Sequence, residues 1–392
     1  MCVKPENNPY APGAGRNPPA LVGRQKELDD WSVNVRRITA GRDAQSIVLY
    51  GLRGVGKTVL LTRFARTATR AGWTVAQIEA RAGKALRQLV GDEYHQQLAD
   101  IARPGAGQRA ARAIKTLFSF MNVSVDATGT WTFGLNIQDA AGGGADTGFI
   151  EADLVRVLRD LAGAAEEHGT GVALLVDEAQ DLTTAELAAL CEAQHRAGQQ
   201  QERLLIVLAG LPSLPKKLAD AKSYAERLFD YHEIGTLNRE ESADALTEPA
   251  KKENVEWSNE AINLVLDGAG GYPYFLQQFG NDTWKAAGSS PITVADARVG
   301  LASGRAALDA GFFRSRWDRA TPAERDYVRA MAEDGALDSS VGDVAARQGM
   351  IVMSLGPTRR SLINKNLIYA SKHGRVAFTV PAMAEFVNRQ ID

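Results

Sequence analysis

Residues 51–58 are Gly51-Leu52-Arg53-Gly54-Val55-Gly56-Lys57-Thr58, and this stretch decides the fold of the chain. It fits the pattern G-x-x-x-x-G-K-[ST] at every fixed position and directly follows a short apolar run, Ser46 to Tyr50. Glycines let backbone N–H groups converge on phosphate oxygens without clashes from Cβ atoms. The helix that we expect to begin at Lys57 directs the positive end of its dipole to the same place. The stretch therefore predicts a polyphosphate-binding loop between a strand and a helix.

The fixed side chains of this loop indicate which ligand it holds. We expect the Lys57 ammonium to span the β and γ phosphates of ATP and the Thr58 hydroxyl to take one Mg²⁺ position. A glycine-rich turn with a chance lysine is the alternative, and the strand-loop-helix context favours the phosphate site. The predicted cofactors are thus ATP and Mg²⁺. The predicted nucleotide contacts in this region are Gly51, Gly54, Val55, Gly56, Lys57, Thr58 and Val59.

A pair of carboxylates lies downstream of the loop. The apolar run Val172 to Val176 predicts a buried strand, and it ends at Asp177 and Glu178. We expect Asp177 to hold Mg²⁺ through water and Glu178 to orient and deprotonate the attacking water. An acidic pair after an apolar strand is often only a strand end, but its position downstream of a phosphate loop favours a catalytic site. Lys57 and Glu178 are therefore predicted catalytic residues, and hydrolysis is favoured over binding alone.

Short apolar runs alternate with helical patterns through much of the chain, which is typical of a parallel sheet covered on both faces. The expected fold class is α/β, with a three-layer P-loop NTPase core, a helical lid and a C-terminal winged helix. The predicted domains are an extended N-terminal lead at 1–20, the core at 21–237, the lid at 238–312 and the winged helix at 313–392.

An insertion at 82–150 interrupts the α/β pattern of the core. Alternating residues on either side of the turn 126–129 predict a hairpin across 118–138. Its aromatic residues could stack nucleic-acid bases, dock a partner or pack on the core, and packing is favoured. These residues are Phe118, Phe120, Trp131 and Phe133.

Composition excludes several classes of protein. The 392 residues carry a formal net charge of −2, so a basic footprint over the whole protein is absent. The two cysteines, Cys2 and Cys191, lie far apart, which argues against a disulfide framework or a zinc site. No apolar run approaches the roughly 20 residues that cross a bilayer, and the polar first residues do not resemble a signal peptide. We therefore expect a cytoplasmic protein without a membrane partner.

Together these motifs resemble AAA+ or STAND-type ATPases, and most of all the bacterial and archaeal ATPases related to origin-recognition initiators. The resemblance runs from about Pro19 to Asn388. Leu21-Val22-Gly23-Arg24 resembles the segment that lies against the adenine, which implies that Arg24 contacts the nucleotide. Gly271-Tyr272-Pro273-Tyr274 resembles the GxP element of STAND lids, which implies that Pro273 packs near the base.

The resemblance also implies a residue that acts between subunits. Arg227 lies where such families carry an arginine finger, so it is a candidate catalytic residue in a nucleotide-dependent oligomer. The alternative is an arginine paired with Glu226 or Asp230 on a helix surface. Two features depart from the family pattern: Ala209-Gly210-Leu211 lacks the polar sensor residue, and the lid has Pro273 where a sensor arginine is common. Both departures favour a switch over a fast motor.

The C-terminal pattern of three helices and a hairpin predicts the winged helix. No acidic residue occurs between Met350 and Thr379, so this stretch is locally basic and predicts contact with the phosphates of duplex DNA. Winged helices also dock proteins, and that alternative stays open. The candidate DNA-binding residues are Arg359, Arg360, Lys365, Lys372 and Arg375.

Two functions are consistent with this sequence. The first is an ATP-binding, slowly hydrolysing switch of the AAA+ or STAND type, which couples ATP or ADP to oligomerisation and to DNA binding through the winged helix. The alternative is a STAND-type signalling or scaffold ATPase whose winged helix binds a partner protein. A fast motor in a DNA machine is a third reading, which the missing sensor residue disfavours.

Overall fold

A five-stranded sheet forms the centre of the computed structural model, which describes residues 2–13, 15–16, 18–81, 83–97, 107–121 and 144–390. The strands are β1 (Ser46–Tyr50), β2 (Thr74–Glu79), β3 (Val172–Asp177), β4 (Leu204–Gly210) and β5 (Phe229–Glu233). Their spatial order is β2-β3-β4-β1-β5, and every neighbouring pair is parallel. The loop of residues 51–58, called the phosphate loop below, therefore leaves the carboxyl end of β1 beside the ends of β4 and β5.

Helices cover both faces of this sheet. They are α1 (Gln25–Thr39), α2 (Lys57–Arg70), α3 (Leu86–Gln96), α4 (Gln108–Met121), α5 (Ile150–Glu167), α6 (Thr184–Gln200), α7 (Leu214–Ala221) and α8 (Ala225–Leu228). Successive residues of the central strands enter opposite cores: Leu175 and Val207 pack in one apolar cluster, while Leu174 and Ile206 pack in the other. This two-sided burial explains why the strands are continuous apolar runs, and it confirms the expected P-loop NTPase core.

The hairpin prediction is wrong for residues 118–121. These residues are the last turn of α4, and the rings of Phe118 and Phe120 are buried in the cluster beside the sheet. The guanidinium of Arg87 lies 4.7 Å from the centre of the Phe120 ring. Helical spacing of Ala110, Ile114 and Leu117 continues into this segment, so its apparent alternation belongs to a helix face. The remainder of the hairpin, with Trp131 and Phe133, lies outside the described residues.

A helical lid follows β5. Its helices are α9 (Arg239–Lys252), α10 (Asn259–Ala269), α11 (Pro273–Ala286) and α12 (Val294–Ala307), followed by a π-helical turn at Leu308–Phe313 and α13 (Arg314–Trp317). The Asn238 side chain accepts from the Glu241 N–H and the Glu241 carboxylate accepts from the Asn238 N–H, which is a capping box at the start of α9. The regular elements between 239 and 317 are thus all helices.

The C-terminal unit, residues 322–388, combines short helices with an antiparallel sheet. Its elements are α14 (Pro322–Ala332), β6 (Ser339–Ser340), α15 (Val341–Arg347), α16 (Gly356–Asn364), β7 (Ile368–Lys372), β8 (Arg375–Phe378) and α17 (Met383–Asn388). The strand order is β6-β8-β7. Three helices and a hairpin occur in the predicted order, so the unit is winged-helix-like, and β6 and α17 are additions that the sequence pattern did not predict.

The N-terminal segment, residues 2–13, is fastened to the lid. The Tyr10 ring is 5% exposed and makes edge contacts with Trp257 and Trp284. Its hydroxyl donates to Leu246 O at 2.5 Å and accepts from Trp257 Nε1 at 3.1 Å. Apart from one short turn at Pro5–Asn7, the segment has no helix or strand, and its prolines are the physical reason. Among the described residues, no helix combines the length and apolar character that a bilayer span requires.

Candidate nucleotide-binding site

The phosphate loop needs glycine at three positions for different reasons. A Cβ atom on Gly51 would overlap the carbonyl oxygen of Ile234, which follows β5. Gly54 and Gly56 have φ of +84° and +103°, a region that L side chains rarely adopt. Gly56 is also the residue before α2. These constraints bring the loop amides to the start of α2, where an anion is favoured.

Lys57 lies inside the loop. Its ammonium donates to the carbonyl oxygens of Gly51 at 2.8 Å and Leu52 at 2.7 Å. Burial lowers the pKa of Lys57 to about 8, although the carboxylates of Glu178 and Asp177 oppose that shift. A buried ammonium held by carbonyl dipoles is already positioned beside the place where phosphates would enter.

Thr58 and Asp177 come together at the end of the sheet. Thr58 Oγ1 donates to Asp177 Oδ2 at 2.6 Å, and Asp177 Oδ1 accepts from the Glu178 N–H at 2.9 Å. A hydroxyl and a carboxylate in contact are the oxygen donors that Mg²⁺ prefers. The residues present therefore fit a magnesium ion, and its binding here stays a prediction.

Glu178 adopts a left-handed backbone conformation, with φ of +50°, directly after β3. Both of its carboxylate oxygens have cationic partners: Arg53 Nη1 lies 2.9 Å from Oε1, and Arg53 Nη2 donates to Oε2 at 3.1 Å. Gln180 Nε2 donates to the same Oε2 at 2.6 Å. A strained backbone that directs a carboxylate toward a cavity is typical of functional sites.

A cavity of about 530 Å³ opens above these groups. The volume lies within the range of about 300–1,000 Å³ that is usual for small-molecule sites. Its walls come from the phosphate loop, the residues that precede α1, and the lid. Outside the phosphate loop, the lining includes Pro12, Arg16, Leu21, Val22, Arg24, Pro273, Tyr274, Phe312 and Arg316. Val59, Asp177 and Glu178 also border it, so the structure brings the predicted nucleotide contacts together around the cavity, except Gly51, which does not line it.

Arg24 and Pro273 reach the cavity in different ways. Arg24 is buried, and its guanidinium donates to Val55 O at 3.2 Å and Gly235 O at 2.5 Å, so it also secures the phosphate loop. Pro273 is the first residue of α11 and lies in the cavity wall. Burial, helped by the positive charge of Arg53, lowers the pKa of Arg316 to about 10.

Sequence reasoning missed Arg53, Gln180 and Arg316. In the lid it noted only that Pro273 stands where a sensor arginine is common, whereas Arg316 enters the cavity wall from α13, with its guanidinium 4.2 Å from the centre of the Phe312 ring. Arg53 occupies a variable position of the phosphate-loop pattern. Its partner, the Glu178 carboxylate, lies 125 residues later in the chain, and only the fold brings the two together. No local sequence signal could have identified these contacts.

Arg227 lies near the amino-terminal ends of the strands, at the end of the sheet opposite the phosphate loop. It precedes β5, in which Phe229 pairs in register with Ser46. The last residue of β5, Glu233, pairs with Tyr50 at the end where the phosphate loop begins. A five-residue strand spans roughly 16 Å, so Arg227 cannot reach the phosphate loop of its own chain. It borders a second cavity, and its carbonyl accepts from Gln45 Nε2 at 3.5 Å. That Arg227 acts as an arginine finger on nucleotide bound by a neighbouring copy of the chain stays a prediction.

The basic residues of the C-terminal unit divide into two groups. Lys365 Nζ donates to the buried Glu324 carboxylate at 2.7 Å, and Arg375 Nε lies 2.9 Å from Asp338 Oδ1. These carboxylates lie outside 350–379, so the folded unit is less basic than its sequence suggests. The second group has no ion pair in the part of the chain that the structure describes: Arg359, Arg360 and Lys372.

The comparisons with known families agree with this geometry. Residues 20–207 match the family described as "AAA ATPase domain", and that range contains the phosphate loop, Asp177 and Glu178. The chain carries an AAA ATPase domain. It is therefore an ATPase, as the sequence predicted. Residues 310–387 match a "Domain of unknown function (DUF8462)", which covers the C-terminal unit. No curated protein matches the chain.

One of the solved structures that resemble this chain shares its fold. A Walker-type ATPase of Pyrococcus abyssi is 16% identical, with 94% of this chain and 96% of that chain covered and a TM-score of 0.57. The RuvB Holliday junction branch migration motor of Thermotoga maritima is 12% identical over 95% and 96% of the two chains, with a TM-score of 0.45. The Orc1 protein of Aeropyrum pernix, solved in complex with DNA, is 15% identical over 95% and 93%, with a TM-score of 0.45.

Proposed function

We propose that this AAA ATPase is a slowly hydrolysing switch, in which the bound nucleotide controls oligomerisation and the engagement of DNA by the C-terminal unit. One observation carries the proposal: Lys57, Thr58, Asp177 and Glu178 converge below a cavity whose opposite wall belongs to the lid. A ligand in that cavity touches two parts of the chain at once. Its γ-phosphate can therefore bias their arrangement.

The chemistry follows from the positions of these side chains. Lys57 and the loop amides would bind the β and γ phosphates, and Thr58 and Asp177 would hold Mg²⁺. Bound there, Mg²⁺ would neutralise charge on the transferred phosphoryl group. Glu178 would accept a proton from the attacking water. Hydrolysis is expected to be slow because β4 ends at Ala209 and Gly210, without a polar side chain to sense the γ-phosphate.

The DNA-binding part of the proposal rests on Arg359, Arg360 and Lys372. Arg360 and Lys372 are exposed, and all three lie on α16 or β7 without an ion-pair partner among the described residues. Exposed cations near one end of a winged-helix-like unit can contact DNA phosphates. Binding there would position the unit on a duplex without reading its bases.

A scaffold function is the second candidate, and an apolar surface favours it. The turn before α16 exposes four consecutive apolar side chains at 350–353, with Ile351 72% and Met353 86% exposed. Adjacent exposed apolar residues often mark a protein-docking surface. In this case the C-terminal unit would bind a partner protein.

Turnover tests the catalytic part. Glu178→Gln should abolish hydrolysis of ATP while equilibrium binding of ATP with Mg²⁺ survives, because the amide cannot accept the proton. Lys57→Ala should weaken binding itself. Glu202→Gln is a matched control, since that carboxylate lies outside the cavity lining. If Glu178→Gln hydrolyses ATP as fast as the parent, Glu178 is not the base.

A duplex titration at two salt concentrations separates the two candidates. The switch predicts binding that weakens steeply with salt, and it predicts loss of that binding in the double variant Arg359→Glu, Arg360→Glu. The matched control is Arg298→Glu, Arg305→Glu, which reverses two exposed charges on α12 of the lid. Absence of duplex binding at low salt would favour the scaffold.

A further inference from the structure

The C-terminal unit contacts the nucleotide site at two points. The Arg53 N–H in the phosphate loop donates to Thr379 O at 3.1 Å. The Asn366 side-chain amide lies 3.1 and 3.2 Å from the two carboxylate oxygens of Asp181, in the short turn that follows Glu178. These two contacts lie on the two segments that supply Arg53 and Glu178.

Between these contacts, the Glu178 carboxylate is held from two sides. Arg53 forms a forked ion pair with both oxygens, and the two side chains are 25% and 23% exposed. Gln180 donates to one of the oxygens, and its own amide oxygen accepts from the Leu211 N–H at 2.9 Å. Glu178 is thereby connected both to the phosphate loop and to the segment after β4.

This arrangement does not suit a general base. A carboxylate that accepts a proton needs a free oxygen directed at water. Because both of its oxygens already accept hydrogen bonds from a guanidinium or an amide, fewer lone pairs remain to face water. The described geometry is therefore a resting one, with the catalytic carboxylate occupied.

We propose that Arg53 is a positioning residue that holds Glu178 in this resting geometry, and that docking of the C-terminal unit on the phosphate loop maintains the pair. The inference rests on the proposed role of Glu178 as the base. The Thr379 contact restrains the backbone of residue 53, and the Asn366 contact restrains the turn after Glu178. Undocking would release both ends of the ion pair together.

The first test removes the ion pair between Arg53 and Glu178. Arg53→Gln should raise kcat for ATP about two- to fivefold, the effect expected from releasing one partly exposed ion pair, with KM unchanged. Arg53→Lys keeps the charge and should restore slow turnover. A structural role alone would not produce faster hydrolysis with an unchanged KM, nor its reversal by lysine.

The second test loosens the docking. Asn366 has φ of +54°, so Asn366→Gly removes the amide without straining the backbone. Asn254→Gly is the matched control, because Asn254 has φ of +57° in a lid turn. Asn366→Gly should raise kcat by the same order as Arg53→Gln, the control should not, and the double variant should be no faster than the faster single variant.

The outcomes separate this inference from the proposed function. If Glu178→Gln retains turnover, the proposed base is wrong and the inference falls with it. If Glu178→Gln is inactive but Arg53→Gln is unchanged or slower, the positioning role of Arg53 is refuted while the base stands. Unchanged turnover in Asn366→Gly, or additive rates in the double variant, would refute the coupling to the C-terminal unit.

Discussion

Replacing Tyr10 should open the nucleotide cavity without unfolding the protein. Tyr10→Ala removes a ring that is 5% exposed between Trp257 and Trp284, with ring centres 6.3 and 6.2 Å away. Truncating a buried aromatic residue costs about 3–5 kcal/mol. That loss falls on the N-terminal segment and on the lid beneath it, because the ring packs against Trp257 and Trp284 of the lid.

The other attachments of that segment are the buried side chain of Val3, which is 5% exposed, and hydrogen bonds to the lid. Trp284 Nε1 donates to Lys4 O at 2.9 Å, Asn8 Nδ2 lies 3.0 Å from Asn281 Oδ1, and the Ala11 N–H donates to Gln277 Oε1 at 3.2 Å. At about 1 kcal/mol for each hydrogen bond, they contribute about as much as the ring alone, and they must also offset the entropy of ordering the chain. We therefore expect the segment to detach.

Detachment has a consequence for the ligand, because Pro12, Gly15 and Arg16 form part of the cavity wall. ATP affinity should fall about tenfold for every 1.4 kcal/mol of wall contact that is lost. Tyr10→Phe keeps the ring but leaves Leu246 O and Trp257 Nε1 without their partner. It should therefore cost only about 1–3 kcal/mol and weaken ATP binding less.

Two measurements follow this change. An ATP titration gives the affinity, and tryptophan emission should shift to longer wavelength as Trp257 and Trp284 meet water. Phe149→Ala is the control, since that ring is 75% exposed and lies outside the cavity lining. Unchanged ATP affinity and unchanged emission in Tyr10→Ala would refute the argument that this segment closes the site.

Three other predictions concern the C-terminal unit, the sheet edge and the lid. Burial would raise the pKa of Glu324, but hydrogen bonds, the strongest from Lys365, outweigh burial and lower the pKa to about 2. The free energy of unfolding should therefore include the full contribution of this carboxylate above pH 4.5 and lose about 2 kcal/mol as the pH falls toward 2, once solvent screening is allowed for. In an acid-unfolding titration, Glu324→Gln should lack this loss. Arg227→Ala should leave ATP binding intact and lower turnover only at protein concentrations where copies associate, so equal loss at every concentration would contradict action in trans. Gly271→Ala should lower the melting temperature, since the φ of Gly271 is +73° and a Cβ atom would overlap Leu237 O. Backbone strain of this kind costs about 1–3 kcal/mol, so the free energy of unfolding should fall by at least about 1 kcal/mol. An unchanged melting temperature would contradict this prediction.

Much of the core could be predicted because its determinants are local. The predicted strand from Ser46 to Tyr50 and the predicted helix start at Lys57 are found at those residues, and the strand predicted from Val172 to Val176 extends by one residue. The phosphate loop combines three features, glycine conformation, a cation and a helix start, within eight residues. Strong periodicity and a short motif leave few alternatives.

What the sequence missed depends on contacts between distant segments. The pairing of Arg53 with Glu178 and the neutralisation of Lys365 by Glu324 join residues far apart in the chain. A locally basic stretch therefore overstated the positive charge of the folded surface. Phe118 and Phe120 show a different failure, because a short alternating pattern cannot be distinguished from one face of a helix.

The hydrogen bond from Arg53 to Thr379 also bears on how the polypeptide matures on the ribosome. The last strand of the sheet ends at Glu233, and the carbonyl that accepts from the Arg53 N–H is synthesised 146 residues after it. At about 5–20 residues per second, a nascent chain would spend several seconds or more with the strands assembled and this carbonyl not yet made. A newly made molecule would thus meet cellular ATP before its C-terminal contact with the loop exists.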